Sequence, residues 1–234
     1  MAHTYGKASA RASSAGNPIT TASFTIATDE TVLVLMIKAR GATNRAGGSP
    51  TYGGVTMTQA NSTQKAVTTP EASAELWYIV NPSIGAYTAT IPNTGALTLF
   101  YTFATGKAKA GGASMFDGAN GGNATSANPT PSAVTTTDAG AIGFAITAGG
   151  WTSWAPSAQA GTIIANTDDG ADGGGEQYVL VANARTASTL SWTFATSDDW
   201  GAVSAYFKEV LPPTMENYKS VTSTTGISVT ERIR

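Results

Sequence analysis

The densest group of ionisable side chains in the sequence is acidic: Asp168, Asp169, Asp172 and Glu176 fall within one Gly-rich stretch. Clustered carboxylates serve two chemistries. Glycoside hydrolysis needs one carboxyl kept protonated by burial beside another that stays ionised, and neighbouring acids on a solvated loop lack that burial. Calcium binding asks only for hard oxygen ligands on a loop, which makes Asp168, Asp169 and Asp172 candidate metal ligands. Their run, Asp168-Asp169-Gly170-Ala171-Asp172, still breaks the alternating EF-hand spacing. A second group is aromatic. Trp151 and Trp154 stand three residues apart in Gly149-Gly150-Trp151-Thr152-Ser153-Trp154-Ala155-Pro156. Two indoles there could pack at the edge of a fold, form a subunit contact or stack on a sugar ring.

Other chemistries lack their residues. A Ser-His-Asp relay needs an imidazole to take the proton, and the one histidine is His3 near the N-terminus. The absence of cysteine removes thiol catalysis, disulfides and cysteine metal sites. No Gly-x-Ser-x-Gly elbow occurs, and before Gly106-Lys107 the glycine of a phosphate loop is replaced by Tyr101. The expectation is a protein that is not an enzyme and carries no cofactor.

The elements that would position these groups are strands. Lys, Arg, Asp and Glu make up only 12% of the 234 residues, against roughly 25% in ordinary globular proteins. Leucine is scarce while Ala, Thr and Gly abound, which argues against helix bundles. From Ser23 onward, short segments rich in Thr, Val, Ile and aromatics are bounded by Gly, Pro or Asn. Alternation is clear in Tyr87-Thr88-Ala89-Thr90-Ile91 and in Leu190-Ser191-Trp192-Thr193-Phe194. The pattern predicts about a dozen strands, with Trp77, Trp192 and Trp200 in the core. Residues 118–131 and 166–175 read as long loops. No fixed-period repeat recurs, so a solenoid or propeller is not expected. The predicted fold is all-β: a two-sheet antiparallel sandwich or jelly roll with extended N- and C-terminal arms. The expected division is an N-terminal arm over 1–20, a sandwich over 21–210 and a C-terminal extension over 211–234.

Three blocks carry a resemblance: Tyr52-Gly53-Gly54-Val55-Thr56-Met57-Thr58; Glu75-Leu76-Trp77-Tyr78-Ile79-Val80-Asn81-Pro82 with Gly85-Ala86-Tyr87-Thr88; and Ser197-Asp198-Asp199-Trp200-Gly201-Ala202-Val203. Together they resemble a β-sandwich (jelly-roll-like) domain family of tailed-phage virion structural proteins, also met in some bacterial surface proteins. The resemblance implies a non-enzymatic packing module of a virion. It suggests a trimer, and it leaves capsid decoration, tail fibre and surface binding open as uses. The C-terminal extension has no counterpart in it.

Partners follow from charge and from the tail. Net charge is -2, and no Lys or Arg lies between Lys109 and Arg185. That gap is unlike the continuous basic stripe that phosphate contacts require, so nucleic acid is not an expected partner. No apolar run approaches the roughly 20 residues of a membrane helix, and the first residues lack a signal-peptide apolar region. A charge-poor surface suits contact with copies of itself or with a shell. In the C-terminal extension Pro212-Pro213 interrupts the ladder. Met215, Tyr218, Ile227 and Val229 are the candidate contact residues, the last two within a strand that pairs with a neighbouring subunit. The expected role is a capsid decoration or cement protein in a virus particle, forming homo-oligomers and touching a major capsid or tail protein. The alternative is a receptor- or glycan-binding module of a tail fibre or adhesin, with Trp151 and Trp154 as its site.

Overall fold

The computed structural model describes residues 3–41, 48–65, 71–93, 98–107, 115–137, 139–149, 156, 158–166, 174–181, 187–208, 218–222 and 228–232. Every regular element among them is a strand, and every pairing is antiparallel. The first half holds β1 (Thr4–Ala8), β2 (Ala12–Ser14), β3 (Ile19–Thr20), β4 (Phe24–Ile26), β5 (Glu30–Gly41), β6 (Thr51–Tyr52), β7 (Val55–Thr56), β8 (Thr58–Lys65), β9 (Glu71–Val80), β10 (Gly85–Tyr87), β11 (Ala89–Ile91) and β12 (Leu99–Lys107). The second holds β13 (Phe116–Ser126), β14 (Val134–Thr135), β15 (Ala141–Gly149), β16 (Ala158–Gln159), β17 (Thr162–Asn166), β18 (Gly174–Val181), β19 (Ala187–Ser188), β20 (Trp192–Thr193) and β21 (Asp198–Phe207). A C-terminal pair follows, β22 (Tyr218–Thr222) and β23 (Ser228–Arg232).

The all-β sandwich expected from the sequence is present, and it is built twice. In the first half the chain folds as a long hairpin whose arms pair from the outside in: β1 with β12, β3 with β11, β4 with β10, β5 with β9. Rolling this hairpin sets β12 beside β5 and β11 beside β6, which is jelly-roll connectivity. The result is a six-stranded sheet, in the order β1-β12-β5-β9-β8 with β2 also paired to β12, under a cover of short strands. The second half repeats the plan. Its sheet runs β13-β21-β15-β18-β17, and β14-β19 and β16-β20 cover it as β4-β10 and β6-β11 do in the first.

Register fixes the equivalences between repeats. Val34 sits between Ala104 and Tyr78, as Phe144 sits between Ala205 and Tyr178. The two sheets pack face to face, β5 against β15, β9 against β21, β8 against β13 and β1 against β18. Lys38, near the end of β5, reaches Gly174, which is paired with Ala148 near the end of β15. The facing strands therefore run the same way, and two ring stacks bridge the sheets from corresponding strands of the repeats: Tyr5 on Tyr178 at 4.1 Å and Phe116 on Tyr78 at 5.0 Å.

Three apolar layers result. Between the sheets lie Val32, Val34, Met36, Leu76, Ala104, Ile142, Phe144, Ile146, Val203, Ala205 and Phe207. The outer face of the first sheet packs Leu33, Leu35, Ile37, Trp77 and Phe103 under cover residues Ile19, Phe24, Ile26, Tyr52 and Ile91. The outer face of the second packs Ala145, Val181, Trp200, Ala202 and Tyr206 against Val134, Leu190 and Trp192. The central strands β5 and β15 are thus buried on both faces. This explains why Val32-Leu33-Val34-Leu35-Met36-Ile37 reads as an unbroken apolar run instead of an alternating one.

Several expectations are corrected. The predicted N-terminal arm over 1–20 is not an arm: β1 and β2 extend the first sheet along β12, and β3 joins the cover. His3 is buried, with its amide donating to the Gly140 carbonyl across the repeat boundary. The loop expected over 118–131 is largely β13, a half-buried edge strand paired along the whole of β21. Gly118, Gly121, Gly122 and Asn residues hide it from an apolar-alternation reading. The expected single sandwich over 21–210 comprises the two repeats, about 4–107 and 116–207.

Candidate functional surfaces

Asp168, Asp169, Asp172, Trp151, Trp154, Met215 and Ile227 lie outside the described residues. The strand ends that flank the first five are described, and register brings them together. Gly149 pairs with Trp200, Ala148 with Gly174, and Asn166 with Gly175. The ends of β15 and β17 and the start of β18 therefore share one end of the second sheet. The corresponding end of the first sheet sets Gly41 opposite Glu71, Lys65 opposite Ala72 and Leu99 opposite Ala39, and Lys38 reaching Gly174 brings that end beside them.

Glu176, read with the three aspartates as part of a solvated loop, belongs elsewhere. It lies in β18, paired with Ile146, and is 0% exposed between the two sheets. A carboxylate sealed there has no route to a sugar, so it leaves the acidic group. Burial pushes its carboxyl above the ordinary range, while the nearby positive charges of Lys38 and then Arg11 pull against that rise. Lys38 is itself 1% exposed, and its ammonium and the Arg11 guanidinium both lie over the Phe100 ring, at 5.1 and 5.3 Å. The Thr102 hydroxyl and the Glu176 amide also favour the carboxylate from close by, although neither Glu176 oxygen makes a well-formed hydrogen bond. Among the described residues no three His, Asp or Glu side chains gather in a metal-binding group.

The motif blocks have structural explanations. The Glu75 and Trp77 side chains share one face of β9, which sets a charge beside the largest apolar group. Both are buried, and the Trp77 indole N–H donates to Glu75 Oε2 at 2.8 Å. One partner of the buried glutamate is therefore two residues along its own strand. Gly53 and Gly54 have φ of 55° and 82° and close the β6-β7 hairpin. A side chain at Gly53 would also meet the Tyr87 ring at 3.0 Å. At the start of β21, the Thr125 hydroxyl donates to Asp199 and the Trp200 indole N–H donates to Ser126 Oγ at 2.9 Å. This aspartate-tryptophan corner ties β21 to the end of β13. Tyr5 shows the same interior polarity: burial, with the neighbouring Tyr178, pushes its phenol up to about 12.

In the C-terminal extension Val229 lies opposite Val221 and Tyr218 opposite Arg232. β23 pairs with β22 of its own chain, where the sequence suggested pairing with a neighbour, because Tyr218–Thr222 supplies a second extended segment of matching length. Residues 227–230 carry a two-residue period legible in the sequence, whereas Tyr218-Lys219-Ser220-Val221-Thr222 carries a single β-branched aliphatic and gives no such signal.

Compared with protein-family models, with curated proteins and with solved structures, the chain matches none.

Proposed function

We propose that the chain is a non-enzymatic structural protein of a virus particle, acting as a capsid decoration or cement protein that binds a major capsid or tail protein and holds neighbouring subunits. The observation that carries this reading is the pairing of two jelly-roll repeats through a shared, largely apolar buried layer. Such a layer makes the body a rigid block, and the hairpin beyond Pro212-Pro213 supplies a separate element for attachment. Charge-poor surfaces favour contacts between copies, in a trimer by the resemblance noted above. Its place is then the extracellular particle. A second reading is a glycan- or receptor-binding module with Trp151 and Trp154 as its site, favoured by two indoles three residues apart in the sequence. Co-sedimentation of the purified chain with shells lacking it, run beside a glycan array, separates the two. Stoichiometric binding to shells with no array signal supports the cement role; array binding without shell binding overturns it in favour of the second.

A further inference from the structure

The two large sheets end in β1 and β8, and in β13 and β17. An edge strand presents a row of unpaired amides and carbonyls, which proteins blunt with charge, bulges or a covering segment. Three of these four edges are blunted. β1 carries Lys7, whose ammonium is held by Glu30 at 3.2 Å, and its ladder breaks between Tyr5 and Ala8. On β8 the Ser62 amide donates to Asn61 Oδ1 at 2.8 Å, and the ladder shifts between Gln59 and Asn61. On β13 the Gly121 amide donates to Asn120 Oδ1 at 2.9 Å while its carbonyl accepts from the Ser132 amide at 3.3 Å, so the segment that follows β13 covers that edge. β17 differs. Thr162-Ile163-Ile164-Ala165-Asn166 holds no charge, and among the described residues it pairs with β18 alone. Its ladder shifts between Ile163 and Ala165, yet Thr162 and Ile163 stay exposed, Ile163 at 52%, and Leu180 on β18 is 47% exposed.

We propose that β17 is a docking edge for β17 of a second copy, the two strands pairing antiparallel about a two-fold axis and joining their sheets into one across both chains. A two-fold contact sets a surface against itself, so the strand must tolerate its own copy opposite. β17 meets that demand, because all five residues are neutral and Thr162, Ile163 and Ile164 are β-branched side chains that suit cross-strand contact. Like charges directly opposite each other destabilise a ladder, and self-pairing of β1 or β13 would bring Lys7 or Asp117 toward its own copy. A strand from an unrelated partner obeys no such symmetry and would be steered better by charge than by its absence. Ile163 shares the face of Gln177 and Leu180 that of Tyr178, so apolar area flanks the edge on both faces of the sheet. One five-residue edge is small beside the roughly 800 Å² a side of a standard interface. Pairing is therefore weak in dilute solution and grows where copies are crowded. The contact goes beyond the role proposed above and does not depend on it.

The chain has no cysteine, so one introduced thiol reports its own contacts. In an antiparallel two-fold pair one residue lies opposite its own copy, at roughly 4.5 to 5.5 Å between Cα atoms, which is disulfide distance. Its neighbours in sequence point to the other face. Full chains carrying Thr162→Cys, Ile163→Cys, Ile164→Cys or Ala165→Cys, oxidised at rising concentration, should show one position crosslinking about tenfold more than those beside it. In sedimentation velocity the unmodified chain should dimerise as its concentration rises. Ile163→Lys, at an exposed position that the fold tolerates, sets like charges across the axis and should weaken the dimer about tenfold. Ile84→Lys, at a residue 58% exposed on the first repeat, should leave it unchanged. Equal crosslinking at all four positions, or none at any, overturns the proposal. So does an Ile163→Lys chain that dimerises as well as the unmodified one, or an Ile84→Lys chain weakened to the same extent.

Discussion

Trp77 and Gln177 occupy the same place in two copies of one fold. Trp77 is paired with Leu35 on the central strand of its sheet, and Gln177 with Ala145 on the other. Both point to the outer face and both are buried. In the first repeat the position is filled by area: the indole packs under a broad apolar cover and its N–H is satisfied by Glu75. In the second it is filled by hydrogen bonding. Gln177 Oε1 accepts from the Gly161 amide at 2.6 Å, and its Nε2 donates to the Ser191 carbonyl at 3.1 Å. One amide side chain thereby ties two cover segments to the sheet. The jelly-roll topology survives either solution, so connectivity here is set by the strand order and not by a particular core residue.

Changes at these positions would break or sharpen the contrast. Trp77→Ala should cost most, about 3 to 5 kcal/mol, because it removes a large buried side chain and leaves a cavity under a rigid cover. Urea denaturation giving less than about 1 kcal/mol would show that the first repeat does not rest on that area. Gly143→Val comes next. A Cβ at Gly143 would stand 2.4 Å from the Tyr206 ring, which fills the space the glycine leaves and donates its hydroxyl to Ser188 Oγ at 3.0 Å. Overpacking there should cost roughly 3 kcal/mol; a neutral result would mean the ring can move aside. Gln177→Leu keeps bulk but strands the Gly161 N–H and the Ser191 carbonyl, so a loss of about 2 kcal/mol is expected. If chemical denaturation finds it stabilising, the second repeat is an apolar core like the first.

A smaller effect is expected from pH. The folded Glu176 carboxyl is raised above its ordinary value, and burial is the main cause. A group whose folded pKa is raised contributes its full stability below the unfolded pKa and loses it as pH climbs through the folded one. Glu176→Gln should therefore flatten the decline of melting temperature with rising pH above the ordinary carboxyl range. An unchanged slope would assign that decline to other groups. The smallest effect belongs to deletion of residues 212–234, which should leave the transition of the repeats within about 0.5 kcal/mol of the full chain, since a lone two-stranded hairpin adds little. The same truncation should abolish incorporation into particles, and undiminished incorporation would remove the attachment role of the hairpin.

The strand class and the buried tryptophans were legible because alternation and turn residues agree along most of the chain. The edge strands were not. β1 and β13 are held by ladder bonds to β12 and β21 and by one aromatic each, Tyr5 and Phe116, so neither carries an apolar period. The duplication was hidden for a different reason. Equivalent residues are 111 apart at Tyr5 and Phe116, 110 at Val34 and Phe144, and 100 at Tyr78 and Tyr178. Loop-length differences between the copies erase any constant period, and what remains in the sequence is sparse, such as Asn17-Pro18 and Asn128-Pro129 ahead of the central strands. Glu176 was misplaced because its neighbours in sequence are glycines and acids, whereas its neighbours in space, Lys38 and Arg11, come from the first hundred residues.

Carrying both faces of the layer between the repeats on one polypeptide changes how that interface responds to dilution. Two separate half-chains joined by the same layer would come apart as their concentration fell, with an apparent stability that depends on how much protein is present. Covalent linkage holds each face at an effective concentration of the order of millimolar toward its mate. The joined pair stays closed however few copies surround it. The linkage also lets a substitution appear once and not twice, so one repeat can hold Trp77 where the other holds Gln177, a division of labour that no true homodimer could make.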